Sequence, residues 1–322
     1  MSDARSRSRA VGMLILATPC WALSFPVMKA LALEQQKLLP DAGTWFFTAL
    51  GVVIRFGVAG LLMLPLLLRA GQKLSRREVE QGAVLAVFGG AGILFQMDGL
   101  AYTAASTSAF LTQGYCVFIP CWVVLLNRRW PSLKIIVSVV LVLAGVAVLA
   151  DLNFHSLKLG RGELETLIAS LFFTAQILTL EHPRYAANRP VQFSIVMFLG
   201  MALFAAPLLW ATAPNVAACF HAYSSPAAVG FMASLIVVCT LAGYLIMNRW
   251  QKLVTATEAG LIYCLEPVFA SALALFLPAM FSVWAGINYP NEILTARLLL
   301  GGALVTAANL LLQSPWLERR PK

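Results

Sequence analysis

Residues 255–276, Thr255 to Phe276, read TATEAGLIYCLEPVFASALALF. The stretch is long enough to cross a bilayer, since about 20 apolar residues span about 30 Å of hydrocarbon. Yet it carries Glu258, Tyr263, Glu266 and Pro267 within that length. A carboxylate at membrane depth costs on the order of 3 kcal/mol or more, so such residues face a protein interior or a wet cavity. Pro267 has no N–H, which predicts a helix break that frees the carbonyl of Tyr263, four residues back. In lipid that carbonyl must find a partner in protein or water. Ala256, Ala259, Gly260, Ala270, Ser271 and Ala272 are small enough for other helices to approach closely. The combination predicts a broken helix lining a substrate pathway. The alternative is a packing kink in which Glu266 bonds a neighbouring helix.

The rest of the chain suits that setting. Of its 322 residues 60% are hydrophobic and only 11% are charged, against about 25% charged in a soluble domain. The composition therefore predicts an all-α integral membrane protein. A net charge of +9 raises nucleic acid as a partner, but the charges sit in short loops between apolar runs, as membrane orientation requires. Nucleic acid is therefore not expected. The six cysteines form no CxxC and have no histidine at ligand spacing, so neither a disulfide frame nor a metal site is expected. His155, His182 and His221 are far apart, and no HExxH or aspartate-rich motif is present. A membrane-embedded enzyme would need such a constellation; the chain is read as no enzyme and as needing no cofactor.

Ten apolar segments follow from hydropathy, at about 11–33, 45–68, 82–100, 104–126, 134–150, 163–182, 191–212, 228–249, 255–277 and 296–313. The basic, then apolar N-terminus imitates a signal peptide, but Thr18-Pro19-Cys20-Trp21 interrupts any small-residue cleavage site and the apolar run continues to Leu33. It is read as the first span. With a cytoplasmic N-terminus, the inner side collects the basic residues near 5–9, 69–77, 128–134, 184–189, 249–252 and 319–322. The outer side keeps only Lys37, Lys158 and Arg161. This imbalance predicts that both termini are cytoplasmic. Two outer loops, Ala213–Pro226 and Pro278–Thr295, are unusually long; Phe281, Trp284 and Tyr289 suit a segment lying along the outer surface.

Segments four and nine resemble each other: small and hydroxyl residues, an apolar stretch with a tyrosine, then Pro120 or Pro267. Their spacing differs, since Pro120 follows Ala109 by 11 positions and Pro267 follows Ala259 by 8. Segments five and ten match loosely, VLVLAGVAVL against LLLGGALVTAA. The chain is thus read as an inverted repeat of five plus five helices, because an odd number of spans reverses the second half. The expected parts are a tail at 1–10, a first repeat at 11–150, an outer linker at 151–162, a second repeat at 163–313 and a tail at 314–322.

These residues resemble the drug/metabolite transporter superfamily, in particular its EamA-type ten-helix members. In the first half the resemblance rests on Trp21, Phe25, Pro26, Lys29, Arg55-Phe56, Gln96-x-x-Gly99-Leu100-x-Tyr102-Thr103, Ser106, Ala109-Phe110-Leu111-Thr112 and Pro120. In the second it rests on Gly162, Ala169, Gln251-Lys252, the run from Ala259 to Phe269 with its Glu266-Pro267 element, and Gly301-Gly302. The family's short Gly-Glu-x-Leu-Thr loop survives only as Glu292-x-Leu294-Thr295, with Pro278–Asn291 inserted before it. The acidic loop expected after segment four is replaced by Asn127-Arg128-Arg129-Trp130-Pro131. The resemblance implies a secondary transporter in a bacterial inner membrane that exports an amino acid or related small metabolite by alternating access.

Candidate cavity residues are Trp21, Gln113, Tyr115, Gln176, Tyr244 and Tyr263, whose polar groups can orient a solute while the rings offer flat apolar surface. Glu266 is the first candidate for proton coupling, because desolvation favours the neutral form of a buried carboxyl; Asp98, nearer the outer interface, is the second. Pro26, Pro120 and Pro267 are the expected helix breaks. Lys29 is read as snorkelling outward, and Arg55 as bonding helix carbonyls or a carboxylate. The expected partners are the bilayer, a small-molecule substrate and protons, for a monomer or homodimer. A passive channel or facilitator is the main alternative, and a lipid-modifying enzyme the remote one.

Overall fold

The computed structural model describes residues 2–69, 73–127, 130–149 and 160–313. The tail at 314–322 and most of the expected linker at 151–162 lie outside the described residues, as do Arg128, Arg129 and Lys158. Everything regular among the described residues is helical. In chain order, α1 (Ser2–Ala22), α2 (Ser24–Leu38), α3 (Thr44–Arg69), α4 (Arg76–Tyr102), α5 (Ala105–Thr112), α6 (Tyr115–Asn127) and α7 (Leu133–Leu149) form the first half. The second comprises α8 (Arg161–Glu181), α9 (Pro190–Thr212), α10 (Val216–His221), α11 (Pro226–Ser234), α12 (Gly243–Trp250), α13 (Ala256–Tyr263), α14 (Glu266–Ala274), α15 (Leu277–Ala285) and α16 (Ala296–Gln313). A π-helical segment, Leu235–Ala242, joins α11 to α12.

This is a multi-pass membrane protein. Among the described residues seven helical runs are long and apolar enough to cross a bilayer: Ser6–Leu38, Thr44–Leu67, Arg76–Tyr102, Ala105–Leu126, Arg161–Glu181, Pro190–Thr212 and Pro226–Leu253. The pair Ala256–Ala274 and Leu277–Ala285, bent by 55°, makes an eighth if it is one span. Helices α7 and α16 contribute only the shorter apolar stretches Leu133–Gly145 and Leu299–Ala308. Leu61, Leu125, Leu203 and Leu299 turn outward and stay more than half exposed, as lipid-facing side chains do.

Local sequence explains the helix starts. Ser75 accepts from the Glu78 amide at 3.2 Å while the Glu78 carboxylate accepts from the Ser75 amide at 2.8 Å, a reciprocal cap that opens α4. Thr255 and Glu258 do the same for α13, which removes Glu258 from the membrane interior and assigns it to a helix end, where it pairs with Arg7. Prolines open α9 and α11, where a missing N–H costs nothing. Replacing Ser75 by alanine is expected to destabilise the fold by about 1 kcal/mol, read as a lowered melting temperature in detergent. An unchanged value would show that the α4 start is held by its Glu78 contacts with Arg189 alone.

Packing pairs the two halves: α3 runs along α9, α4 along α8, and α7 along α16. Helix α4 crosses α8 backbone to backbone. A Cβ on Gly162 would stand 2.6 Å from the Gly99 carbonyl oxygen, and one on Gly99 would stand 2.8 Å from the Gly162 carbonyl. Two backbones touch there because neither residue has a side chain.

The charged groups collect at the two ends of the bundle. At one end Arg7 pairs with Glu258, Arg184 with Glu80 and Arg189 with Glu78, and Glu181 accepts from the Ala256 amide. At the other, Asp98 pairs with Arg161, Arg161 with Glu165, and Lys37 with Glu34. Lys29 does not snorkel outward. Its ammonium donates to the carbonyls of Leu100, Ala101 and Thr103 at 2.8, 3.3 and 3.0 Å, closing the C-terminal end of α4, where carbonyls lack helical partners.

The long loop after α14 folds as α15, ending at Gly286 in the left-handed region with φ 62°. Trp284 lies edge-on to Phe231 with ring centroids 4.8 Å apart and covers Gly230. Phe281 packs against Phe231 as well, at 5.1 Å. These rings bind α15 to α11 as well as facing outward.

Candidate functional site

Two membrane helices are interrupted in the same way. Helix α5 ends at Thr112 and α6 begins at Tyr115; helix α13 ends at Tyr263 and α14 begins at Glu266. Each break is closed by tight turns to the third carbonyl back. Gln113 and Gly114 donate to Phe110 and Leu111, both at 3.0 Å. Cys264 and Leu265 donate to Leu261 and Ile262, at 3.3 and 3.1 Å. Aligned on these breaks, Tyr115 is the counterpart of Glu266.

The prolines are therefore not equivalent. Pro267 occupies the first turn of α14, at the break, as expected. Pro120 lies inside α6 and breaks nothing. The interruption comes six residues earlier, at Gly114, where a Cβ would meet Ser170 Oγ at 2.8 Å. A proline bends a helix on its N-terminal side, and a glycine pressed against α8 is where the chain yields. Pro26 lies in the first turn of α2, just after the interruption at Leu23.

A partly open cavity lies where these interruptions meet. Its walls come from both halves: Trp21 and Ser24 beside the α1–α2 junction, Arg55 of α3, Gln96 of α4, and Thr112 and Tyr115 at the first break. From the second half come Phe173 and Gln176 of α8, Tyr244 and Met247 of α12, and Tyr263 and Glu266 at the second break. Apart from half-buried Trp21, these residues are buried.

Hydrogen bonds and ring contacts fix the walls. Tyr263 donates to Gln251 Oε1 at 2.8 Å, and Gln251 Nε2 donates to the Ile177 carbonyl at 2.9 Å, tying the second break to α8. Gln96 Nε2 donates to Thr112 Oγ1 at 3.0 Å, tying the first break to α4. Trp21 stands edge-on to Tyr244 and Tyr263, with centroids 5.8 and 5.1 Å away. Such pairs each contribute about 1 kcal/mol beyond their buried area.

Of the residues singled out in the sequence, Trp21, Tyr115, Gln176, Tyr244, Tyr263 and Glu266 come together around this cavity. Gln113 sits behind the wall, beside the Glu266 carboxyl, with its Nε2 donating to the Ala109 carbonyl at 3.3 Å. Asp98 does not join them. It is fully buried at the bundle end against Arg161, two residues from Gln96 and hence on another helix face. Ser24 and Thr112 also line the cavity, and a single hydroxyl in an apolar run carries no pattern that marks it as a cavity group. Arg55 bonds neither a helix carbonyl nor a carboxylate among the described residues: its Nε donates to Thr240 Oγ1 at 2.6 Å. Its placement midway along an apolar run was the available signal.

The arrangement presents a carboxyl, a guanidinium and aromatic walls to one space inside the helix bundle. No ring of metal ligands is found among the described residues.

Comparison with known proteins agrees with the fold. One solved structure, described as "Crystal structure of protein", is similar to this chain with a TM-score of 0.66 and 16% identity, covering 98% of this chain and 100% of that one. At that identity the likeness is one of fold alone. No curated protein matches by sequence. The sequence model of the EamA-like transporter family matches residues 8–150, the half that carries Trp21, Arg55, Gln96 and Tyr115. Residues 8–150 thus match the EamA-like transporter family, within the drug/metabolite transporter superfamily.

Proposed function

We propose that the protein is a secondary transporter that exports a small organic metabolite, an amino acid or related solute, across a bacterial inner membrane in exchange for protons. The observation that carries this reading is the buried cavity between two matched helix breaks, with Glu266 in its wall. Half-helices that end at the midplane leave backbone groups for a solute and can be rocked against one another.

The reading includes ten spans in an inverted five-plus-five arrangement. Its support is the pairing pattern: α3 packs on α9 and α7 on α16, while α1 meets α12 much as α8 meets α4. Exchanging the halves reproduces these contacts, as a two-fold relation between repeats requires. Support for a cytoplasmic N-terminus is that Arg7, Arg184 and Arg189 lie at the same end of the bundle.

Glu266 is assigned the proton because it faces the cavity and has no ion-pair partner among the described residues. Asp98 is held by Arg161 and serves structure. The test is counterflow in vesicles of purified protein. Labelled amino acid outside should transiently accumulate when unlabelled solute is loaded inside, and the rate should saturate. Linear, unsaturable flux without counterflow would make the protein a channel.

A further inference from the structure

We propose that Arg55 is an anion anchor: the solute enters the cavity with a carboxylate that pairs with the Arg55 guanidinium. This rests on the transport reading of the cavity and adds what the solute must carry.

Arg55 lies midway along the Thr44–Leu67 run and is 1% exposed. A buried cation in a membrane bundle is ordinarily paired with an acid. Here every ion pair among the described residues lies at one end of the bundle or the other, and none includes Arg55. Its surroundings are soft. Nη1 approaches Met28 Sδ at 3.6 Å, a weak acceptor, and the guanidinium carbon stands 5.1 Å from the Phe56 ring centroid.

A guanidinium has five N–H donors in a fixed fork. The only oxygen bonded to it among the described residues is Thr240 Oγ1, on Nε. Thr240 belongs to the π-helical segment Leu235–Ala242, a distortion frequent at functional sites. The bond orients the fork and leaves the Nη edge without an oxygen. Trp21 Nε1, in the same cavity wall, is a buried donor with no partner among the described residues. The cavity therefore holds unsatisfied donor positions beside a fixed positive charge, and a planar carboxylate satisfies the Nη edge with two parallel bonds.

Glu266 shares the cavity but does not neutralise Arg55. An arriving carboxylate removes the uncompensated charge. A neutral isostere does not, and it leaves the guanidinium as unsatisfied as before.

The test compares 3-phenylpropionate, 3-phenylpropionamide and 3-phenylpropylamine, whose common ring suits the aromatic walls. Their dissociation constants for the purified full-length protein in detergent are measured by calorimetry and by thermal stabilisation. The acid is expected to bind about tenfold or more tightly than the amide, the range of a charge-assisted hydrogen bond. In Arg55→Gln that preference should vanish; in Arg55→Lys a reduced preference for the acid should remain. If Arg55→Gln does not fold, Thr240→Val, which removes the bond that orients the fork, should lower the acid preference severalfold. Equal binding of acid and amide by the wild-type protein, binding of none of the three, or a preference that survives Arg55→Gln would overturn the anchor. Counterflow measured on the same preparation separates the two ideas. Counterflow without acid preference removes the anchor alone, and acid preference without counterflow removes the transport reading while Arg55 keeps its role.

Discussion

Glu266→Gln is expected to fold and insert normally while losing proton-driven transport. The amide nearly matches the carboxyl in shape, so the wall beside Gln113 and the first turn of α14 keep their packing. Removing an acid from a helix start costs at most about 1 kcal/mol, and removing a buried ionisable group offsets part of that. Stability should therefore change little. Transport should change greatly. With one proton exchanged per solute, a gradient of about 2 pH units supports roughly hundredfold accumulation, since each unit corresponds to about 1.4 kcal/mol. In the variant that accumulation should collapse to equality across the membrane, while counterflow at equal pH persists. Gradient-driven accumulation at the wild-type level in Glu266→Gln vesicles would remove the coupling role.

The second large effect lies in packing. Gly99→Leu should prevent α4 and α8 from meeting, because even the first added carbon stands 2.8 Å from the Gly162 carbonyl oxygen. Backbone cannot step aside as a flexible side chain can, so the helices must separate. Overpacking of this kind costs about 1–3 kcal/mol for a modest insertion, and leucine should lie at or above the top of that range. Gly99→Ala should fall near its middle, and Gly162→Ala should behave similarly. The alanine double variant should cost less than the two single effects combined, because both residues strain one contact. Gly12 and Gly43 have open space where a Cβ would point, so alanine there should change the melting temperature little. Wild-type stability in Gly99→Leu would show that the crossing is looser than drawn here.

The same glycine contact matters for transport, because α4 and α8 carry Gln96 and Gln176 into the cavity wall. Separating them displaces both amides. A stability loss in Gly99→Ala should therefore come with weakened solute binding, whereas Ser75→Ala, remote from the cavity at the start of α4, should lower stability alone.

Much of this was legible in the chain. Apolar runs of bilayer length marked out the seven long membrane-spanning helical runs among the described residues, because in hydrocarbon a helix must satisfy its own backbone bonds and side chains must be apolar almost throughout. Glu266 next to Pro267 announced a cavity-facing break for the same reason, since a carboxyl and a freed carbonyl have no cheap place against lipid. The aromatic and amide residues Trp21, Tyr115, Gln176, Tyr244 and Tyr263 stood out against a Leu-, Val- and Ala-rich background, and they do meet in one wall.

Other features were settled only when helices met. Pro120 looked like the counterpart of Pro267, but the matching interruption is at Gln113–Gly114, because Gly114 yields where α6 presses on Ser170. Lys29 turned inward because the open carbonyls at the end of α4 lie within its reach. Asp98 and Gln96, two residues apart, went to different neighbours because 200° of helical rotation separates them. The sequence by itself determined the multi-pass membrane character, the long apolar runs and the supply of polar groups, since these follow from the solvent each residue must face. Tertiary structure alone decided which groups share a cavity and which pair with an acid, as Arg55 does not among the described residues, because partnership depends on which helix faces arrive together.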